Sequence, residues 1–161
     1  MPLRGHRDSG PLNFNEDVHI NEGVFRGLLS FRVNAGDASL KKHLECGPKN
    51  AQYVSPLIQN EIIEACNEVI LKEIVASANS TKCFTVLADE TTDISQVEQV
   101  SIAVRFVDEK KYQIREMFLQ FVPVVETTGK NLAEVIECSL IKLGLNMAYL
   151  RGQGYDGAAA M

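Results

Sequence analysis

The sequence predicts an α/β fold in which a mainly helical amino-terminal region, residues 1–80, precedes a partial sheet in residues 81–161. Apolar residues recur at a spacing of three to four in residues 55–78 and again in residues 128–143, which is typical of helices with one buried face. Residues 83–122 instead hold short apolar runs and stretches of period two, which are typical of strands. The chain stops soon after a fourth strand, so we expect the sheet to be incomplete at its carboxyl end.

Composition excludes several classes of protein. The chain carries 16 Lys and Arg against 21 Asp and Glu, a formal charge of −5, and therefore lacks the basic excess of a stand-alone nucleic-acid binder. No apolar run reaches the roughly 18 residues needed to span a bilayer, and no secretory signal is visible, so we expect no membrane partner. The cysteines (Cys46, Cys66, Cys83 and Cys138) form no C-x-x-C pair, which predicts free thiols and not a zinc site.

The amino-terminal region predicts three helices. The first runs from Asn21 to about Val33, the second over residues 38–44, and the third over residues 55–78. Ser55 is a suitable N-cap for the third, and Pro56 suits its first turn because no helical hydrogen bond is lost there. Its spacing predicts one stripe of residues facing a core: Ile58, Ile62, Cys66, Val69, Ile70 and Ile74. The charged residues on the other face predict solvated surface: Glu61, Glu64, Glu68, Lys72 and Glu73.

Three strands follow, joined by short loops that predict antiparallel neighbours. The nearly continuous apolar run of residues 83–88 predicts a first strand that is buried on both faces and ends before Asp89. Alternation over residues 100–106 predicts the second strand, and residues 112–122 the third, with a bulge near Glu116 where the alternation slips.

A second long helix and a short fourth strand complete the pattern. Thr127 or Thr128 can cap the helix, and Gly144 suits its carboxyl end. The extended piece is expected at residues 148–150. A right-handed crossover would lay this strand parallel to the first, which is the opening of an RNase H-like fold.

This topology brings two carboxylates to one edge of the sheet. Asp89 follows the first strand and Asp156 follows the fourth, so we expect their side chains to be neighbours. A divalent cation such as Mg²⁺ removes the repulsion between such carboxylates and can activate phosphodiester chemistry. Gly152, Gly154 and Gly157 also match G-x-G-x-x-G, so a nucleotide-binding protein is a weaker alternative. The other interpretation is that these glycines allow a tight backbone path beside the carboxylate.

Several segments resemble the domain found in hAT-type transposases and their domesticated relatives, such as zinc finger MYM-type proteins and the repressor of the inhibitor of the protein kinase. The resemblance rests on residues 84–95, 98–99 and 151–159, and upstream on residues 3–6, 40–44 and 48–53. It implies a D-D-E site for DNA cleavage and strand transfer, with Asp89 first and Asp156 second as catalytic and metal-binding residues. Asp93 is the rival for the first place. The resemblance also implies Mg²⁺ or Mn²⁺ as cofactor, DNA as partner and the nucleus as location.

The sequence therefore predicts a truncated or domesticated hAT transposase-like protein whose ancestral activity is metal-dependent DNA cleavage and strand transfer. The family's third acidic residue is not reached, so we expect this fragment to be inactive. The alternative is a non-enzymatic module that binds proteins or chromatin. A sheet without its last strand and covering helices leaves an open edge and apolar surface, which predicts marginal stability or self-association.

Overall fold

The computed structural model describes residues 4–6, 8–10, 12, 22–92, 96–108, 110–125 and 128–155. Helices precede a four-stranded mixed sheet, so the predicted α/β fold class is confirmed. The helices are α1 (Gly23–Asn34), α2 (Ala38–Cys46), α3 (Pro56–Ser80) and α4 (Gly129–Leu143). The strands are β1 (Phe84–Thr92), β2 (Glu98–Asp108), β3 (Gln113–Pro123) and β4 (Leu150–Tyr155).

Two compact units divide the chain, one ending at Asn67 and the other beginning at Glu68, so α3 contributes residues to both. The predicted domain boundary after residue 80 stays a prediction. No helix in the described ranges is long and apolar enough to cross a membrane.

The first unit has a small core and a well-capped second helix. Val33, Leu44 and Val54 form that core. The Asp37 carboxylate caps α2 by accepting a hydrogen bond of 2.9 Å from the backbone N–H of Leu40. That bond, together with the guanidinium of Arg32 at 2.6 Å, holds the pKa of Asp37 below its usual range.

A buried arginine ties the preceding segment to α1. The Arg26 side chain is fully buried, and its guanidinium donates hydrogen bonds to the backbone oxygens of Asp8 and Gly10. Glu22 supplies a carboxylate 3.5 Å away. Because a buried charge without partners is strongly unfavourable, these contacts fix the path of the chain at Asp8 and Gly10.

The amphipathic face predicted for α3 is largely wrong. The helix begins as expected, with the Ser55 hydroxyl accepting from the Ile58 N–H at 3.3 Å. Every residue from 61 to 70 is exposed, however, and of the predicted stripe only Ile74 is buried. The buried positions lie nearer the two ends of the helix: Gln59, Ile74, Val75 and Ala78.

The sheet has the predicted topology. Its strand order is β3-β2-β1-β4, with β1 antiparallel to β2, β2 antiparallel to β3, and β4 parallel to β1. The crossover through α4 therefore places β4 on the free side of β1, as the sequence predicted.

The two faces of the sheet differ. One face packs against α4 and the carboxyl-terminal part of α3, and residues such as Phe84, Ile102 and Leu140 are almost completely buried there. The other face, which we call the open face, carries Thr85 and Leu87 of β1, and these are only half-buried. The prediction that β1 is buried on both faces is therefore wrong, because Thr85 and Leu87 keep part of their surface exposed.

The bulge in β3 lies later than predicted. The register slips between Ile102 and Ala103 of β2, where Leu119 is the extra residue, and pairing at Glu116 is regular. Leu119 is buried at 2% exposure, so the bulge turns this side chain into the core.

The ends of α4 are as predicted, but β4 begins later than expected. Thr128 caps the helix by accepting from the Asn131 N–H at 3.4 Å, and Gly144 adopts a φ of 88° at its carboxyl end. The 3₁₀ turn Met147–Tyr149 replaces most of the expected extended piece, because the Asn146 side chain caps it at 3.0 Å from the Ala148 N–H.

Candidate functional site

Asp89 lies within β1 and not beyond its end. It pairs with Ser101 of β2, whose hydroxyl donates to the Asp89 backbone oxygen at 3.1 Å. Pairing continues to Thr92, which lies opposite Glu98, although the apolar run ends at Ala88. Strands pair through backbone hydrogen bonds, which do not require apolar side chains. The Asp89 side chain is exposed. Because side chains alternate along a strand, it lies on the open face with Thr85 and Leu87.

The structure brings together the two strands that the predicted site needs. Ala88 of β1 pairs with Tyr155 of β4 in parallel register. Tyr155 is the last described residue, and Asp156 lies outside the described residues, as does Asp93, the rival for the first position. The pairing of Asp89 with Asp156 therefore stays a prediction.

Glu90 is a second acidic residue of β1 that the sequence analysis left out. It follows Phe84, Val86 and Ala88 in the alternation and is partly buried on the helix-covered side. Its Oε1 atom is buried, and within the described ranges it has no hydrogen-bond partner. It lines a cavity of about 90 Å³ together with Glu98. Counting alternate positions from Phe84 would have placed it there.

Among the described residues, no three His, Cys, Asp or Glu side chains lie close enough together to hold a metal ion. Of the predicted metal pair, Asp89 belongs to the described residues and Asp156 does not. All four cysteines are free and exposed.

The glycines of the G-x-G spacing lie inside a strand. A Cβ atom at Gly152 would lie 3.2 Å from the Thr85 Oγ1 atom, and one at Gly154 would lie 2.9 Å from the Leu87 Cδ2 atom. Side chains of β1 therefore occupy the space above both glycines. A dinucleotide fingerprint needs its glycines in the turn between a strand and a helix, and this placement does not fit it.

Sequence comparison then decides the family. Residues 1–161 match the family described as ZMYM1/FAM200, RNase-like domain (DUF4371). The chain belongs to this family. It is also similar to the "52 kDa repressor of the inhibitor of the protein kinase" of Homo sapiens, with 34% identity over 151 residues, and to that of Mus musculus, with 32%. Each match covers 90% of this chain but 20% of the relative, so the chain spans about a fifth of their length.

Membership of the RNase-like domain family agrees with the observed sheet. The three antiparallel strands, the crossover helix and the parallel fourth strand are the features from which an RNase H-like fold was predicted. The resemblance to the domain of MYM-type and repressor proteins is confirmed, and the relatives' names describe regulatory proteins.

Proposed function

We propose that this chain is part of a domesticated hAT transposase-like protein whose ancestral activity was metal-dependent DNA cleavage and strand transfer. Asp89 and Asp156 are the ancestral catalytic and metal-binding residues. The chain by itself does not cleave DNA, and its present role is regulatory, in the nucleus. The observation that carries the proposal is the parallel pairing of β1 with β4, whose last described pair is Ala88 and Tyr155.

Covalent geometry supports the proximity of the two carboxylates. Paired residues of neighbouring strands lie about 5 Å apart, and one further residue along each chain adds at most about 3.8 Å. The Cα atoms of Asp89 and Asp156 can therefore be no more than about 13 Å apart. If β4 continued by one residue in the same register, Asp156 would pair with Asp89, and the two carboxylates could then hold one cation.

The chemistry of these donors fits Mg²⁺ or Mn²⁺, and two carboxylates leave most of the coordination shell to water or substrate. Carboxylate oxygens are the ligands that these hard cations prefer, and Mg²⁺ is often held by one or two carboxylates together with substrate phosphates. Two carboxylates alone bind such an ion weakly. The cation would supply charge neutralisation at a phosphate, and Asp89 and Asp156 would hold it.

Titration with Mn²⁺ tests the ancestral site. We expect weak binding to the wild-type chain in calorimetry, lost in Asp89→Asn and in Asp156→Asn and retained in Asp93→Asn, the matched control. Binding that is absent from the wild type, or unaffected by the first two changes, would overturn the assignment of the site.

A supercoiled-plasmid assay with Mg²⁺ or Mn²⁺ tests the absence of cleavage. We expect no nicking above that of Asp89→Asn. Metal-dependent nicking that disappears in both Asp→Asn variants would show that the chain is a working nuclease.

A non-enzymatic interaction module is the second candidate, favoured by one observation. The open face presents Phe118 and Phe121 about half exposed, which is unusual for the face of a sheet. Under this function, Asp89→Asn and Asp156→Asn leave partner binding unchanged, and loss of binding in either variant would count against it.

A further inference from the structure

Strand β4 has little in its own sequence that fixes its position beside β1. None of its side chains is buried, two of its residues are glycines, and within the described ranges it is an edge strand of the sheet. Register is weakly specified in strands that are rich in glycine and bury no face, because a slip costs little apolar burial. The position of β4 therefore depends on the segment that leads into it.

A slip of one residue is close at hand where β4 begins. Phe84 pairs with Leu150 and Thr85 pairs with Gly152, so Arg151 is the extra residue between the two pairs. Pairing of Arg151 with Thr85 would remove this irregularity and move every later residue of β4 by one position. Each of those side chains would then change to the other face of the sheet.

One side chain at the end of α3 holds the segment before β4 at two points. The Asn79 Nδ2 atom donates to the backbone oxygen of Gly144 at 2.9 Å, and its Oδ1 atom accepts from the backbone N–H of Asn146 at 2.9 Å. The Asn146 side chain in turn accepts from the N–H of Ala148 at 3.0 Å, just before β4 begins. Because hydrogen bonds constrain both distance and direction, the chain enters β4 from a defined point.

Asn79 is also tied to the beginning of β1. Its backbone oxygen accepts from the N–H of Lys82 at 3.2 Å, in the turn that leads to Phe84. Its neighbour Ala78 is fully buried in the core of the second unit, so the end of α3 is anchored beneath the sheet. One residue thus relates the beginnings of both parallel strands to each other.

The other contacts of this segment do not define the register. Four of its residues pack in or against the core: Leu145, Met147, Tyr149 and Leu150. Apolar contacts are non-directional, so they hold the segment to the core without deciding which residue of β4 lies beside Thr85. The Arg151 guanidinium donates to the backbone oxygen of Ala148 at 2.6 Å, a bond that lies within the segment and moves with it.

We propose that Asn79 is a positioning residue whose two side-chain hydrogen bonds hold β4 in the register that pairs Gly152 with Thr85. Without these bonds the segment stays on the core but loses its fixed distance from β1. The strand then exchanges between the observed register and the one in which Arg151 takes the place of Gly152.

The consequence for the candidate site rests on the proposed function. If β4 continues in its observed register, Asp156 falls opposite Asp89. In the slipped register it would fall opposite Glu90, on the other face of the sheet, where the two aspartates cannot share a cation. Asn79 acts on the site through the register of β4.

Nuclear Overhauser effects report this register. A Cβ atom at Gly152 would lie 3.5 Å from the Thr85 Cγ2 atom, and one at Gly154 would lie 2.9 Å from the Leu87 Cδ2 atom. The Hα atoms of both glycines should therefore show strong effects to these methyl groups in the wild type. Asn79→Leu keeps the size of the side chain and removes both hydrogen bonds, so these effects should weaken or vanish while those between β1 and β2 remain.

Hydrogen exchange separates a loosened β4 from a general loss of stability. Amide exchange in residues 150–155 should become about tenfold faster in Asn79→Leu and Asn79→Ala, with β2 and β3 unchanged. Ser80→Ala is the matched control, because the adjacent Ser80 hydroxyl donates to Ser77 within α3, so this variant should behave like the wild type. Unchanged glycine–methyl effects in both Asn79 variants, or equally faster exchange in every strand, would overturn the proposal.

Titration with Mn²⁺ separates this inference from the proposed metal site. The apparent affinity of Asn79→Leu should fall in proportion to the fraction of molecules that keep β4 in register, and that of Ser80→Ala should not change. A wild type that binds no Mn²⁺ would refute the metal site, and the Overhauser effects would still decide the role of Asn79. Loss of those effects with unchanged Mn²⁺ affinity would refute the link between the register and the site.

Discussion

Alanine substitutions at the two glycines of β4 test whether the G-x-G spacing serves strand packing. The new Cβ at Gly154 would lie closer to its neighbour, 2.9 Å from the Leu87 Cδ2 atom, than the one at Gly152, which would lie 3.2 Å from the Thr85 Oγ1 atom. Distance alone would rank Gly154→Ala as the more damaging change. We expect the reverse order.

The difference lies in how the neighbouring side chain can respond. Leu87 is half-buried and meets the new methyl with the end of a flexible side chain, so a rotation relieves the contact. Thr85 presents Oγ1 at 3.2 Å and Cγ2 at 3.5 Å on the same branched carbon, so rotation about χ1 exchanges one close atom for another.

The magnitudes follow from these contacts. Overpacking costs about 1–3 kcal/mol, whereas replacing Gly by Ala stabilises by about 0.4–1 kcal/mol through the unfolded chain. Neither glycine has a positive φ, so alanine is compatible with both backbones. Gly152→Ala should therefore lower the free energy of unfolding by about 0.5–2 kcal/mol, and Gly154→Ala should change it by less than about 0.5 kcal/mol.

Urea unfolding followed by far-ultraviolet circular dichroism is suitable, because the chain contains no tryptophan. Thr85→Ala in the Gly152→Ala background should recover at least about 0.5 kcal/mol relative to the sum of the single changes, as expected for residues in contact. A larger loss at Gly154 than at Gly152, or no coupling between Thr85 and Gly152, would refute the reasoning.

Three further changes test the core, a helix end and a helix cap. Leu140→Ala should lower the free energy of unfolding by about 2–5 kcal/mol in urea, because Leu140 is 1% exposed in the core of the second unit; a loss below about 1 kcal/mol would contradict this. Gly144→Ala should cost about 1–2 kcal/mol because of its φ of 88°, whereas Gly27→Ala, with open space around it in α1, should be neutral or stabilising in the same assay. Asp37→Ala should lower the thermal midpoint at neutral pH by removing the bond to Leu40. Since the pKa of Asp37 is lowered, the wild-type advantage is complete above its ordinary pKa of 3.8 and disappears as the pH falls through the lowered value; a pH-independent difference would contradict the assigned cause.

The order of elements could be predicted because the apolar periodicity of each segment agrees with the capping residues at its ends. Thr128 and Gly144 bound α4 as expected, and Ser55 begins α3. The parallel placement of β4 followed from the handedness of crossovers alone.

The covered surface of α3 could not be predicted, because an apolar stripe does not say which of its parts meets a core. Ile62, Val69 and Ile70 carry the right spacing, yet all three are exposed, in the stretch of α3 around the boundary between the two units. Conversely, Arg26 was overlooked because charge suggests exposure, whereas backbone oxygens of distant residues satisfy this guanidinium inside the first unit.

The candidate site was predicted in its topology but not in its detail. The neighbours β1 and β4 could be foreseen, whereas the continuation of β1 past Asp89 could not, since residues 89–92 are polar and pair through their backbones. The same pairing places Glu90 on the side opposite Asp89, a distinction that only a count along the strand reveals.

The bulge at Leu119 decides which residues share a surface. Phe118 and Phe121 are three positions apart, and a regular strand would point them in opposite directions. The extra residue shifts the phase of the alternation, so both rings emerge on one side while Leu119 enters the core. Loss or gain of one residue in this stretch would send one ring inwards and bring a different side chain out. The aromatic character of that side therefore depends on strand length at this point as much as on residue type.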